Sequence, residues 1–598
     1  MKILDKKKIL SVYAYFLPFL AGSILIGIYY ISTYNPYYLH LFTLACCYSL
    51  LVIGFDIVFN QSGFYALSQG FFFGITAYLT AFLTAQFVNN YFLILGSALI
   101  IVMCLGYIIA HILLPLKPFQ IIILTLGLSE LCRLISHYWA TTLQNYAHVQ
   151  HIPEIQFQNI QFESGSLFIL IFIIICAFIA TKFKSRLMDL AFYFVRDNRH
   201  LANHLGLKAN SLRLKSFLFS VICAGLAGNV YSHEMGSLTS DIFNLEIPIF
   251  CLATITLAGR YKISLTLIIS LFLFYCTYLL NFNSTERSLF YVAVFLFNLA
   301  LLPKGIGFYL DRLLYKISKK KEKLNKPKPV QLGHNFSPED PQKILSVVKL
   351  SKKFGGIEAI KKISFNVKQG EIIGLIGPNG SGKTTLLNLL SGLIDYDQGA
   401  MILNGQNLNN PKAKKQAKSA IVFCPDRPFL FSKLNLIDNI AVIRAAHYRW
   451  INLWQEFRLS LSKKRLAQVK SEALYMLKQW EIPREIGEKF PNSLEQGTKK
   501  RVDIVRALAF NPKIILLDEP TSNLADWEQL SLAIKLKALA EQGLSIIIAE
   551  HNIPFLFNLA HKIMCLEVGK IIAAGPPSLI KENVAVKALY FGDKTHIL

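Results

Sequence analysis

Residues 377–384 read Gly377-Pro378-Asn379-Gly380-Ser381-Gly382-Lys383-Thr384, and they fit the phosphate-binding loop pattern G-x-x-x-x-G-K-[ST]. The preceding Glu371-Ile372-Ile373-Gly374-Leu375-Ile376 is short and apolar enough for a buried strand. The following Thr385-Leu386-Leu387-Asn388-Leu389-Leu390 reads as the first turns of a helix. Strand, glycine loop and helix in that order suit a phosphate group. Glycines let backbone N–H groups curl around its oxygens, and the helix N-terminus adds a favourable dipole. Lys383 is expected to reach the β- and γ-phosphates, and the Thr384 hydroxyl to ligate Mg²⁺.

The chain around this loop is uneven. At 598 residues it exceeds one domain, because single cores stop growing near ~250–300 residues. No Lys or Arg occurs from Ile9 to Leu116, whereas the region after Lys316 is densely charged. A lysine-rich tract from Lys316 to Lys326, then Pro327-Lys328-Pro329 and a polar stretch to Pro341, reads as a solvated linker. The expected division is a membrane domain over 1–315, a linker over 316–343 and a nucleotide-binding domain over 344–598.

The net charge of +25 does not indicate nucleic acid as a partner. The basic residues sit in the linker and on loops flanking apolar spans, where each faces an anionic inner leaflet and contributes ~1 kcal/mol. The ten cysteines form no C-x-x-C pair, and most lie inside apolar runs, so they read as small membrane-core residues.

Apolar runs of bilayer-spanning length are expected near 9–32, 39–59, 64–87, 92–115, 118–135, 165–181, 216–233, 242–259, 263–281 and 287–303. The first follows the basic segment Met1–Lys8 and reads as an uncleaved anchor. The segments Met1–Lys8, Lys182–Lys215, Arg260–Lys262 and the tract after Lys304 are basic, while Leu134 to Thr181 carries no Lys or Arg. Basic loops belong in the cytoplasm, and ten crossings place all of them there, together with the phosphate-binding loop. Asp56, His111, Glu130, Arg133 and Glu246 fall at membrane depth, where polar groups usually face a bundle interior or a watery path. Glu130 and Arg133 are spaced i, i+3 and can pair on one helix face.

In the loop 182–215, Leu187, Leu190, Ala191, Phe194, Val195, Leu201, Ala202 and Leu205 recur at helical spacing, with Arg186, Asp189, Arg196, Asp197 and Arg199 on the other faces. A short amphipathic helix here would take up movement from an ATPase, or would lie on the lipid surface.

Beyond the linker, Ile344–Leu350 and Ile363–Val367 read as strands. Phe354 lies between them and is a candidate to stack on a purine. Ile514-Ile515-Leu516-Leu517-Asp518-Glu519-Pro520 is an apolar strand ending in two carboxylates. Asp518 is placed to hold the Mg²⁺ shell and Glu519 to polarise an attacking water, since phosphoryl transfer needs mainly positioning and charge neutralisation. A further strand, Leu544–Ala549, ends at Glu550-His551-Asn552, which puts His551 near the γ-phosphate side.

The phosphate loop, the Asp518-Glu519 pair and His551, in that order, resemble the ATP-binding domain of an ABC transporter. The family's signature segment, usually L-S-G-G-Q, is matched in place by Leu494-Glu495-Gln496-Gly497-Thr498, with Glu495 for the usual Ser. Its glutamine after the strand Ile421–Cys424 aligns with Asp426. The basic-aromatic insert containing His447-Tyr448-Arg449-Trp450 and the ending Val586–Gly592 look like the ATPase subunit of branched-chain amino acid importers. Gly63–Tyr78, Leu124–Ile135, Arg196–Leu207 and Gly225–Ser232 are similar to the permease subunit of the same systems. A glycine-rich outer-loop motif of that permease is missing around Asn145–Ile155.

The resemblance implies a polytopic α-helical membrane domain of about ten spans followed by an α/β nucleotide-hydrolase domain of ABC type. It implies ATP and Mg²⁺ as ligands. Gly377 to Thr384 with Thr385, Phe354 and Asp426 would bind ATP, and Leu494, Glu495 and Gly497 would complete a partner's site. Thr384 and Asp518 would hold the metal, and Glu519 and His551 would be catalytic. It implies that 186–205 contains the helix coupling the two halves. The implied partners are a second permease, a second ATPase, an extracytoplasmic binding protein and the lipid of an inner membrane. An exporter or flippase half, and a weakly hydrolysing regulatory subunit, are the alternatives.

Overall fold

The computed structural model describes residues 21–86, 90–142, 149–150, 152, 155–157, 160–162, 165–184, 186–197, 209–259, 263–310, 343–408, 420–432, 434–448 and 459–591. They fall into two compact units, one N-terminal and helical, the other C-terminal and mixed. The linker expected over 316–343 lies outside the described residues except for Lys343, and so do residues 198–208.

The helical unit comprises α1 (Ala21–Ser32), α2 (Pro36–Asp56), α3 (Gln69–Gln86), α4 (Tyr91–Leu113), α5 (Pro118–Thr142), α6 (Ser166–Phe183), α7 (Arg186–Asp197), α8 (Ala209–Met235), α9 (Glu246–Ala258), α10 (Ile263–Leu279) and α11 (Ser284–Leu301). Local chemistry starts α2: Pro36 stands in the first turn and the Asn35 side chain accepts from the Tyr37 N–H at 2.9 Å. Its sequence is apolar all round, and accordingly 94% of its most apolar window is buried, against 17% for α5 and α11. Thus α2 is central and α5 and α11 are peripheral. α8 packs on α2, α3 and α4. At Gly228 it approaches α3 so closely that a Cβ would stand 2.3 Å from the Phe73 carbonyl oxygen, the small-residue contact that joins helices in lipid.

Of the ten runs expected to cross a membrane, seven form helices long and apolar enough among the described residues, and three contribute shorter apolar helices there: Ala21–Ser32, Gln69–Thr84 and Ile263–Leu279. Residues 9–20 of the first run lie outside the described residues. The run expected over 64–87 is interrupted at its start. Residues 63–68 are not helical, and the Leu67 N–H is satisfied by the Thr125 hydroxyl at 3.0 Å.

The polar groups at depth are paired. Glu130 and Arg133 form the i, i+3 ion pair at 2.6 Å. Asp56 is fully buried and holds Lys184, while Asn60 donates to its other oxygen at 2.8 Å. Here α2 widens into a π-helical turn, Ile57–Gln61, of a kind that often marks functional positions. Gln61 donates to Asp189 of α7 at 2.8 Å, and Arg196 of α7 donates to the Asn60 carbonyl at 2.9 Å. The amphipathic helix expected within 186–205 is thus present over Arg186–Asp197. Its continuation lies outside the described residues.

The helical unit also carries two short two-stranded sheets, β1 (Val149–Gln150) with β4 (Ser237–Leu238), and β2 (Ile155–Phe157) with β3 (Ile160–Phe162). In the second unit a four-stranded antiparallel sheet runs in the order β6-β5-β8-β9, from β5 (Lys343–Phe354), β6 (Ile357–Lys368), β8 (Gln398–Leu403) and β9 (Gln406–Asn407). A six-stranded sheet runs β10-β11-β12-β7-β13-β14, from β7 (Ile372–Ile376), β10 (Ile421–Cys424), β11 (Ile514–Asp518), β12 (Ser545–Ala549), β13 (Lys562–Glu567) and β14 (Lys570–Gly575). All its neighbours pair in parallel except β14 on β13. Every residue of β7, β11 and β12 is buried, as unbroken apolar runs in a covered parallel sheet must be. The helix α12 (Lys383–Ser391) shares one core with both sheets through Leu386, Leu387, Leu389 and Leu390. α13 (Leu436–His447) packs on α14 (Leu459–Gln479), where the buried Arg444 pairs with Glu472 at 2.8 Å.

Phe354 does not lie between the strands. β5 continues through it, and Phe354 pairs with Ile357 across the Gly355-Gly356 turn. Irregular register along this hairpin lets β5 run past Leu350 through a polar stretch.

Candidate nucleotide site

Register assembles the site. Cys424 is opposite Leu517, Asp518 opposite Ala549, and Ala549 opposite Leu375. The carboxyl ends of β10, β11, β12 and β7 therefore come out at one edge. The residues just beyond them are Asp426, Glu519, His551 and the loop from Gly377. Ligands of open α/β sheets bind in the crevice outside such an edge.

The loop itself needs glycine. Gly377, Gly380 and Gly382 have φ of 152°, 81° and 103°, and a Cβ at Gly382 would stand 2.8 Å from the Ala359 carbonyl oxygen. Lys383 is buried, and its ammonium donates to the carbonyls of Gly377 at 2.7 Å and Pro378 at 3.1 Å. Burial lowers its pKa, while the Glu519 and Asp518 carboxylates oppose that shift. The Ser381 hydroxyl oxygen is buried with no hydrogen-bond partner among the described residues. This orphaned group inside a backbone cradle, with an ammonium beside it, fits a phosphate.

Thr384 and Asp518 are brought together, because the Thr384 hydroxyl bonds to the Asp518 carboxylate. Burial pushes the Asp518 pKa up to about 6, and the Glu519 and Asp426 carboxylates add to the rise. The Thr384 bond and Lys383 oppose it. A buried carboxylate with a hydroxyl and two further carboxylates nearby is a hard oxygen set, and it fits Mg²⁺.

Glu519 and His551 also meet: Glu519 Oε1 is 3.4 Å from His551 Nε2. The Glu519 N–H donates to the Ala549 carbonyl at 2.8 Å, and its φ of 46° turns the chain sharply at the end of β11. Bridging-region and left-handed backbones of this kind persist where surroundings over-determine them.

Three residues not singled out in the sequence brace this edge. Glu550, buried, accepts from the Thr521 N–H at 2.7 Å and hydroxyl at 2.6 Å, and from the His551 N–H at 3.0 Å. Lys500, on the buried side of α15 (Gln496–Leu508), donates to Asp426 Oδ1 at 3.1 Å and to the Glu519 carbonyl at 2.5 Å. Ser522 contacts Lys500 and donates to the same Asp426 oxygen at 3.0 Å. A carboxylate directly after an apolar strand, as at Glu550, was a visible signal. Lys500 sat unmarked in a run of cations.

Leu494, Glu495 and Gly497 sit at the start of α15, where Glu495 is the N-cap residue without a side-chain cap bond. Gly497 is buried against Leu524 and Glu528. Among the described residues these three make no hydrogen bond or ion pair with the phosphate loop. Phe354, about half exposed at the hairpin tip, has Lys352 5.5 Å from its ring centre.

Residues 360–522 match the ABC transporter family, and residues 37–300 match a family described as the permease component of branched-chain amino acid transport systems. The ATP-binding protein of the lipopolysaccharide export system of Haemophilus influenzae is 29% identical over 251 residues, 42% of this chain and 98% of the relative. A high-affinity branched-chain amino acid transport ATP-binding protein of Pseudomonas aeruginosa is 26% identical, over 42% of this chain and 98% of the relative. Among solved structures, a post-hydrolysis dimer of an ATP-binding cassette with ADP and phosphate is 26% identical, covering 39% of this chain and 99% of that one, with a TM-score of 0.35.

Proposed function

We propose that this chain, in which a permease domain of the branched-chain amino acid transport family is joined to an ABC transporter ATPase domain, is one half of an ATP-driven importer. Its solute class is branched-chain or related amino acids. The observation that carries this reading is the pairing of that permease match with a complete phosphate loop and carboxylate edge on the same polypeptide. The similarity to the Pseudomonas transport protein supports the solute class.

In this reading the Gly377–Thr385 backbone and the Lys383 ammonium bind the ATP phosphates, with Phe354 and Asp426 at the margins. Thr384 and Asp518 would hold Mg²⁺, which would supply charge neutralisation for phosphoryl transfer. Glu519, oriented by His551, accepts a proton from the attacking water. Leu494, Glu495 and Gly497 complete the site of a second ATPase. Glu495 then brings a carboxylate toward that partner's phosphates, which repels them and favours a heteromer with unequal sites over a homodimer. The basic loops support a cytoplasmic ATPase domain in an inner-membrane protein. A second permease and an extracytoplasmic binding protein complete the assembly, with no nucleic acid.

Export is the second reading, favoured by the similarity to the lipopolysaccharide export proteins. The complex purified from its native membrane and placed in liposomes separates the two. ATP-driven uptake of a branched-chain amino acid that requires a co-purified binding protein supports import. ATP-driven loss of solute or lipid from the binding-protein side's opposite face, with no such requirement, supports export.

A further inference from the structure

The ends of β10 and β11 bring three carboxylates to one edge: Asp426, Asp518 and Glu519. An ATP phosphate chain arriving there would add further negative charge. At close range such charges repel one another unless cations intervene. Lys383 answers for the phosphate loop. At the other side the answering cation is Lys500, which comes from α15, outside both the phosphate loop and the β10 and β11 edge.

Lys500 is 6% exposed, and among the described residues its ammonium makes three hydrogen bonds. It reaches Asp426 just beyond β10 at 3.1 Å, the backbone carbonyl of Glu519 just beyond β11 at 2.5 Å, and the Ser522 hydroxyl in the following turn. Ser522 closes the ring by donating to Asp426 at 3.0 Å. A single ammonium, with three donors and no acceptor, thus ties two strand ends and one turn together. The carbonyl it holds belongs to Glu519, whose backbone is in the left-handed region at φ 46°. The direction in which the Glu519 side chain leaves the strand is set by that turn.

We propose that Lys500 is a positioning residue for ATP hydrolysis: it cancels the Asp426 charge and, by gripping the Glu519 carbonyl, fixes the orientation of the Glu519 carboxylate. Asp426 and Lys500 act as one neutral unit. Removing the lysine alone leaves Asp426 with the Ser522 hydroxyl but an uncancelled charge, and takes from the Glu519 carbonyl oxygen the ammonium that held it. An asparagine at 426 would then supply an N–H to the same carbonyl. This inference rests on the reading of the site as an ATPase.

The test uses the intact complex, with the parent, Lys500→Met, Asp426→Asn and the double variant. Three quantities are read: Mg²⁺-dependent ATP hydrolysis, ATP binding in EDTA, and hydrogen exchange of residues 519–525. In Lys500→Met, kcat is expected to fall about tenfold to a hundredfold while ATP affinity stays within about threefold, because Asp426 is half exposed and screened. Exchange over 519–525 rises, with the exchange of the membrane helices serving as the folding control. Adding Asp426→Asn restores kcat at least about fivefold and returns the exchange toward the parent, a coupling of the size found for residues in one network. Unchanged kcat and exchange in Lys500→Met would overturn the proposal. So would a loss of binding and kcat together that Asp426→Asn does not relieve. A parent complex without ATP hydrolysis would count against the ATPase reading instead, and the exchange measurement would still decide the link.

Discussion

His551 Nε2 lies 3.4 Å from Glu519 Oε1, a contact that crosses from the end of β12 to the end of the neighbouring β11. The parallel register that sets Asp518 opposite Ala549 makes it unavoidable, since each residue is one or two steps beyond that pair. Replacing Glu519 by Gln keeps the shape and removes the proton acceptor. Hydrolysis in the purified complex is expected to fall by about 10²–10⁴-fold with ATP binding retained, read by phosphate release and by nucleotide titration. An unchanged rate would remove Glu519 from the catalytic role.

The Asp518 carboxylate gives a pH-dependent stability. Its folded pKa of about 6 lies above the value of about 3.9 it regains on unfolding. Between those values the folded state binds more protons than the unfolded one, so stability falls as pH rises through that window. Without nucleotide and Mg²⁺, Asp518→Asn is expected to melt above the parent at pH 7.5, with the difference vanishing near pH 4. Thermal melting at the two pH values checks it. A difference independent of pH would contradict this origin.

Gly382 is held at φ 103° with the Ala359 carbonyl 2.8 Å from where a Cβ would go. Gly382→Ala should therefore cost about 1–3 kcal/mol and distort the cradle. ATP binding is expected to weaken more than tenfold, a factor worth about 1.4 kcal/mol, as measured by nucleotide titration. Binding at parental affinity would show that the loop accommodates a side chain.

In the membrane unit, Asp56 is buried against Lys184. Asp56→Ala strands a buried cation, a loss of about 3–5 kcal/mol. The Asp56→Ala, Lys184→Met pair should recover much of that loss. Thermal melting in detergent measures both, and a double variant no better than the single one would deny the pairing its importance.

Much of the nucleotide domain could be read because its signals are local. The glycine loop, the apolar run before it and the paired carboxylates after Leu517 each specify their element within a few residues. What lay hidden was carried by distant pairings. Lys184 meets Asp56 across 128 positions, and Lys500 meets Asp426 across 74. Neither lysine looks different from its cationic neighbours along the chain. Phe354 was misplaced because irregular register lets β5 extend through Ser351-Lys352-Lys353, residues with no apolar alternation. The apolar run from Phe64 hid a non-helical stretch, since hydropathy alone cannot distinguish an extended apolar segment buried among helices from a spanning helix.

Glu495 offers a gain-of-function test of the unequal-site reading. It is the N-cap of α15 without a side-chain cap bond, so serine there improves the cap by about 1 kcal/mol while removing the charge. Glu495→Ser is expected to raise hydrolysis at the partner's site, whereas Glu495→Gln, which removes only the charge, should raise it too. If serine alone raises it, capping rather than repulsion is responsible.

The most direct measurement is amino-acid uptake by liposomes carrying the intact complex, with ATP on the side of residues 344–598, comparing the parent with Glu519→Gln. The account predicts accumulation of a branched-chain amino acid against its gradient by the parent and none by the variant. Equal accumulation by both, or accumulation without ATP, would contradict it.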